Sequence, residues 1–163
     1  MLKIETRSAK ETQKIAAALA YGLAVAPRRD RRGAAVVALQ GDLGAGKTTF
    51  TQGFARALGV KDRVLSPTFV LMKIYGLHPR TKGKSKKIKN AGQGFLHLIH
   101  IDCYRIASPK DLLHLGFKEL LKDKDAIILI EWADRIKKIL PRNTTWLKFT
   151  HGAEKNIRHI KVT

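Results

Sequence analysis

The stretch LQGDLGAGKTTF at residues 39–50 constrains this chain more than any other. Glycine is costly inside a helix or strand, so three glycines within residues 41–46 mark backbone that turns tightly or lets another group come close. Gly41, Gly44, Gly46, Lys47 and Thr48 fit G-x-x-x-x-G-K-[ST], the spacing of a phosphate-binding loop. The flanks supply the context that spacing needs. AAVVALQ (residues 34–40) is a short apolar, β-branched run of the kind that forms a buried strand. After the loop, KTTFTQGFARALG puts Phe50, Phe54, Ala57 and Leu58 on one helical face and ends at Gly59, a suitable C-terminal cap. Strand, glycine loop and helix in this order aim loop N–H groups and the positive end of a helix dipole at one point, where an anion is stabilised. Asp42, Leu43, Gly44, Ala45, Gly46, Lys47, Thr48 and Thr49 are therefore the expected nucleotide-binding residues. Lys47 adds a full charge for the β- and γ-phosphates, and the Thr48 hydroxyl is placed to ligate Mg²⁺.

A chain of 163 residues suits one domain with a real core, here expected to span residues 1–163 with a basic insert at about 80–94. Lys and Arg number 32 against 13 for Asp and Glu, a net charge of +19. That imbalance points to a polyanionic partner, RNA above all. One cysteine, Cys103, excludes an internal disulfide and a cysteine-based zinc site, and fits a reducing cytoplasm. His97 and His100 lie an odd number apart on an expected strand, so they should face opposite ways and hold no metal together. IAAALAYGLAVA (residues 15–26) has the length of a signal-peptide core. Glu5 and Glu11 make its leader mixed in charge, however, and SAKE (residues 8–11) reads as a capping box for a helix containing Ile15, Leu19 and Leu23. We read a buried, alanine-rich helix, too short to span a bilayer, and expect no membrane association.

Further along, RRDRR (residues 28–32) is a charged connector, and VLSPTFVLMKIY (residues 64–75) a Ser-Pro-Thr turn leading into a strand. RTKGKSKKIKNAGQG (residues 80–94) is lysine- and glycine-rich with no apolar face, and is read as a hairpin excursion. FLHLIHID (residues 95–102) and AIILIE (residues 126–131) are apolar strands, each ending in a carboxylate. Between them, SPKDLLHLGFKELL (residues 108–121) carries helical spacing interrupted by Gly116, and TWLKFT and NIRHIKV suggest a closing hairpin. A phosphate loop needs a carboxylate to hold Mg²⁺ and a device to position the attacking water. Asp102 and Glu131 sit where strands should end near the loop, and periodicity does not choose between them. Thr68, rigidified by Pro67, is a candidate switch whose hydroxyl senses the γ-phosphate. Trp132, beside Glu131, would by default be a core aromatic.

Taken together, GDLGAGKTTF, SPTF, HIDCYR, LGFKELL and IEWADRI, in this order and spacing, resemble the bacterial TsaE (YjeE) ATPases. The resemblance runs from about Ser8 to the C-terminal strands. It implies an ATP-hydrolysing accessory protein in making threonylcarbamoyladenosine, the modified adenosine next to the anticodon in tRNA, with ATP and Mg²⁺ as ligands and TsaB and TsaD as partners. It also implies roles for residues. Thr48 and Glu131 would hold Mg²⁺, with Asp102 the catalytic or water-orienting carboxylate close to the metal. Lys47 and Thr68 would complete the catalytic set, Trp132 would lie against the nucleotide base, and residues 7–12 would border the nucleotide. The lysine-rich insert is longer and more basic than that family requires; contact with tRNA through the basic surface is the expectation attached to it.

Two other classes use the same loop. A small-molecule kinase would need an acceptor pocket, which no sequence feature marks, and a nucleotide-gated RNA-binding module would rely on the +19 charge. A GTPase would carry an [NT]-K-x-D motif after the loop, and none follows. The expected fold is α/β, a single P-loop NTPase-like domain with a mainly parallel central sheet, antiparallel edge strands and flanking helices.

Overall fold

Runs of six residues that are apolar without alternation suit strands covered on both faces, and such strands form the centre of the sheet. The computed structural model describes residues 2–25, 32–66, 71–77, 95–154 and 156–163. Its strands are β1 (Leu2–Thr6), β2 (Ala35–Gln40), β3 (Met72–Gly76), β4 (His97–Asp102), β5 (Ala126–Glu131), β6 (Thr145–His151) and β7 (Arg158–Val162). They make one seven-stranded sheet in the order β1-β7-β6-β2-β5-β4-β3. β6, β2, β5 and β4 run parallel. β7 and β1 extend one side antiparallel, and β3 closes the other. The parallel centre with antiparallel edges is the expected architecture.

Two helical layers cover the centre. Helices α1 (Ala9–Val25) and α2 (Lys47–Ala57) lie over a face built from Val37, Leu39, Ile127, Leu129 and Phe149. Helices α3 (Pro109–His114) and α4 (Phe117–Lys122), with a 3₁₀ helix at Ala133–Ile139, cover Val36, Ala38, Ile99, Ile128 and Ile130 on the other. The helical pattern at residues 108–121 breaks at Gly116, which adopts a left-handed φ of 80° and starts α4. Ser108 and Asp111 make a reciprocal capping box at the start of α3. The box expected at Ser8 is half formed. Ser8 Oγ accepts from the Glu11 N–H, but the Glu11 carboxylate takes the Arg7 N–H instead of that of Ser8.

Helix α1 buries a different stripe from the one its larger side chains suggest. Thr12, Ala16, Ala20 and Ala24 are buried, while Ile15, Leu19 and Leu23 are only partly so. Small residues win this face because α1 and α2 approach closely: a Cβ on Gly53 of α2 would lie 2.6 Å from the Gln13 Cα. We expect Gly53→Ala to destabilise the protein by about 1–3 kcal/mol despite alanine's better helix propensity, because backbone has to move. Urea unfolding checks this; a stability equal to or above wild type would mean that the helices part freely.

Strand β1 had no counterpart in the sequence reading. LKIET alternates apolar and polar residues but over only five positions, too short a run to stand out as a strand, and its place depends on pairing Ile4 with Ile160 at the far end of the chain. Residues 67–70, Thr68 among them, the charged connector apart from Arg32, and the lysine-rich insert lie outside the described residues. Among the described residues, no helix is long and apolar enough to cross a membrane.

Candidate active site

The glycine loop joins β2 to α2 at the C-terminal ends of the parallel strands, where ligands bind in open α/β sheets. Gly41, Gly44 and Gly46 all have positive φ, at 144°, 75° and 101°. At Gly41 glycine is also a steric requirement, since a Cβ there would stand 2.3 Å from the Phe149 carbonyl oxygen. Helix α2 begins with Gly46 as its N-cap, with no side-chain cap and no acidic residue in its first turn. Its first N–H groups therefore remain available to an anion, in contrast with the capped start of α3.

Lys47 is buried, at 4% exposure. Its ammonium donates to the carbonyl oxygens of Gly41 (2.6 Å) and Asp42 (2.8 Å) within the loop. It also lies 3.8 Å from the centre of the Trp132 ring, a cation–π contact. Burial lowers its pKa from the usual lysine value, opposed by the nearby carboxylates of Glu131, Asp102, Asp134 and Asp42.

Glu131 and Asp102 end adjacent parallel strands and are register partners. Both are 2% exposed. Glu131 Oε2 accepts from the Thr48 hydroxyl at 2.8 Å. Its Oε1 accepts from the Thr51 hydroxyl at 3.1 Å and lies 3.0 Å from His100 Nε2. Asp102 accepts the Ser66 hydroxyl on Oδ2 and the Tyr104 N–H on Oδ1 at 2.8 Å. Thr48, Glu131 and Asp102 thus meet at the loop, as the sequence suggested. Among the described residues there is no cluster of three or more His, Cys, Asp or Glu side chains able to hold a metal alone. A hydroxyl and two carboxylates are instead the sparse hard-oxygen set that suits Mg²⁺ shared with phosphates.

Trp132 directly follows the strand-end Glu131 and adopts a left-handed backbone, φ 58° and ψ 38°, rare for a bulky residue. That turn brings its ring onto Lys47 and within 5.0 Å of the Tyr104 ring. The structure therefore puts Trp132 at the lysine end of the loop. Cys103, between Asp102 and Tyr104, is fully buried, and burial followed by the Asp102 charge raises its thiol pKa to about 12, so it serves packing.

Thr51, His151 and Arg158 carry no sequence signal as site neighbours, and His100 is read from sequence only as facing away from His97. Thr51 lies two residues beyond Thr49, the last of the expected binding residues, with nothing local to mark it. His97 and His100 do face different partners: His97 reaches Asp123 at 3.3 Å, and His100 is fully buried against Glu131. An ionised Glu131 only accepts, so Nε2 of His100 carries the proton, and among the described residues its buried Nδ1 meets no hydrogen-bond partner. His151 Nε2 lies 3.2 Å from the Leu43 carbonyl oxygen. Arg158 Cδ and Nε lie 3.1 and 3.3 Å from where a Cβ on Gly46 would sit. These last two come from the closing hairpin, more than 100 residues from the loop in sequence.

A family model described as threonylcarbamoyl adenosine biosynthesis protein TsaE matches residues 6–160, almost the entire chain. The chain belongs to the TsaE family. A Treponema pallidum protein named as tRNA threonylcarbamoyladenosine biosynthesis protein TsaE is 35% identical over 121 residues, which are 74% of this chain and 76% of that protein. A Bacillus subtilis TsaE is 39% identical over 107 residues, 66% of this chain and 56% of its own length. The crystal structure of Bacillus subtilis YdiB superposes with a TM-score of 0.66 at 31% identity, covering 98% of this chain and 82% of that one. The TsaE loop and both strand-end carboxylates thus sit on a fold shared with a solved relative.

His100 is expected to act as a positioning residue for Glu131. His100→Phe should raise the Mg²⁺ concentration needed for nucleotide binding about tenfold or more, the usual effect of losing a group that orients a metal ligand. His100→Asn or His100→Gln, which keep a donor, should restore part of it. Equal Mg²⁺ dependence across the three variants and wild type would show that His100 only fills space.

Proposed function

We propose that this chain is an Mg²⁺-dependent ATPase that supports synthesis of threonylcarbamoyladenosine in tRNA, working with TsaB and TsaD. The observation that carries the catalytic part is the 2.8 Å contact between the Thr48 hydroxyl and the Glu131 carboxylate, with Asp102 on the neighbouring strand. Thr48 and Glu131 would hold Mg²⁺, which would supply positive charge against the developing charge on the phosphates. Gly44–Thr49 and the start of α2 bind the phosphates through backbone N–H groups, and Asp42 and Leu43 shape the loop's entry. Lys47 exchanges its two loop carbonyls for phosphate oxygens, while Trp132 shields its ammonium from water. Arg158 adds a second cation beside Gly46.

Asp102 is suited to orient the attacking water, because hydrogen bonds from Ser66 and Tyr104 fix its carboxylate while leaving it able to accept. Thr68, two residues along the chain from Ser66, is the proposed sensor of the γ-phosphate. The reading is tested by pull-down from a bacterial lysate with and without ATP. Recovery of TsaB and TsaD is expected; phosphate transfer to a small molecule in their place would favour a kinase.

A further inference from the structure

Among the described residues, the α1–α2 face of the sheet is covered along its width, while on the opposite face the helices reach only the parallel centre. Ile4, Leu147, Phe149, Ile160 and Val162 all point to the α1–α2 side. Strand alternation therefore turns Lys3, Lys148 and Lys161 to the other. Register then aligns these residues across three strands: Lys148 pairs with Lys161, and Lys161 with Lys3. Gln40 of β2 extends the row beyond Lys148. At strand spacing, the three lysines span about 10 Å. Lys3 and Lys148 are exposed and Lys161 is half-buried.

Two residues from Lys148 on the same face stands Trp146, partly exposed, with Lys137 Nζ 5.9 Å from its ring centre. Gln40, Lys137, Trp146, Lys148, Lys161 and Thr163 line an open cavity of about 360 Å³. Glu5, on the same face, is engaged by Arg7 at 3.0 Å and has His159 at 3.9 Å.

We propose that this open face binds a single-stranded RNA segment. A row of lysines supplies phosphate contacts, an aromatic ring at the row's edge supplies a stacking platform, and Gln40 and Thr163 offer hydrogen-bonding groups to base edges or ribose. The combination fits RNA better than an acidic protein, which would use the lysines but leave the ring without a flat partner. The chain's net charge of +19 favours association with any polyanion; the row and the ring are what localise it. The row meets the glycine loop at Gln40, next to Gly41, but the inference rests on the lysines and the ring and not on the ATPase reading.

The test is fluorescence anisotropy with labelled oligouridine over a salt series, using the full chain. Lys3→Ala/Lys148→Ala/Lys161→Ala should flatten the log–log salt slope by about 2, at roughly 0.7 per lost phosphate contact. Lys110→Ala/Lys118→Ala/Lys122→Ala, which removes equal charge from exposed positions of α3 and α4, should leave the slope near that of wild type. Because the chain has two tryptophans, Trp132→Phe isolates Trp146, whose emission should be quenched by oligouridine and not by polyglutamate. Trp146→Leu should weaken oligouridine binding about 5- to 150-fold, the effect of losing one stacked base. Equal slope changes in the two triple variants would overturn the proposal in favour of diffuse charge. Tight polyglutamate binding on the same lysines, without quenching by RNA, would overturn it in favour of an acidic protein partner. Either result would leave ATP binding, measured in parallel, as an independent check on the loop.

Discussion

Lys47→Ala is expected to abolish ATP binding at ordinary concentrations. A charge-assisted contact to phosphate contributes about 1.5–3 kcal/mol or more, so affinity should fall at least ten- to a hundredfold. The structure adds a second source of loss. The same ammonium ties together the Gly41 and Asp42 carbonyls and lies under Trp132, so its removal also loosens the loop that receives the phosphates. Lys47→Met separates the two effects, since it keeps an apolar stem against the indole while removing the charge. Both variants should fail to bind ATP–Mg²⁺ in calorimetry, and Lys47→Met should retain more thermal stability. Near-wild-type affinity in either would sink the phosphate-loop assignment.

Asp102→Asn and Glu131→Gln should part company. Glu131 holds the Thr48 and Thr51 hydroxyls and His100 on its two oxygens, so the amide variant presents a neutral, partly mismatched group where Mg²⁺ is expected. Its nucleotide binding should weaken and respond less to added Mg²⁺. Asp102→Asn keeps an acceptor for Ser66 or the Tyr104 N–H but gives up the negative charge that orients water. Binding should stay within a few-fold of wild type while turnover falls by about 10²–10⁴. Single-turnover phosphate release and calorimetry read the two quantities separately. Reversed phenotypes would exchange the roles of the two carboxylates and leave the ATPase reading standing.

What the sequence determined by itself is what contiguous residues can encode. Positive-φ glycines, an apolar strand before them and an amphipathic helix after them specify a phosphate loop within about 25 residues, because backbone sterics and helix dipoles act locally. The carboxylates at the ends of two apolar strands were legible for the same reason. Tertiary structure alone decided which distant groups meet. Sheet order sets β4 beside β5, so that Asp102 pairs with Glu131 and His100 reaches its carboxylate. The antiparallel return of β7 carries Arg158 to Gly46, and packing of α2 on β5 brings Thr51 to Glu131. The lysine row is the clearest case: Lys3, Lys148 and Lys161 are unremarkable in a basic chain until register aligns them. One residue of slip would turn each of them to the opposite face, and only the burial of Ile4, Phe149 and Ile160 beneath α1 and α2 prevents it.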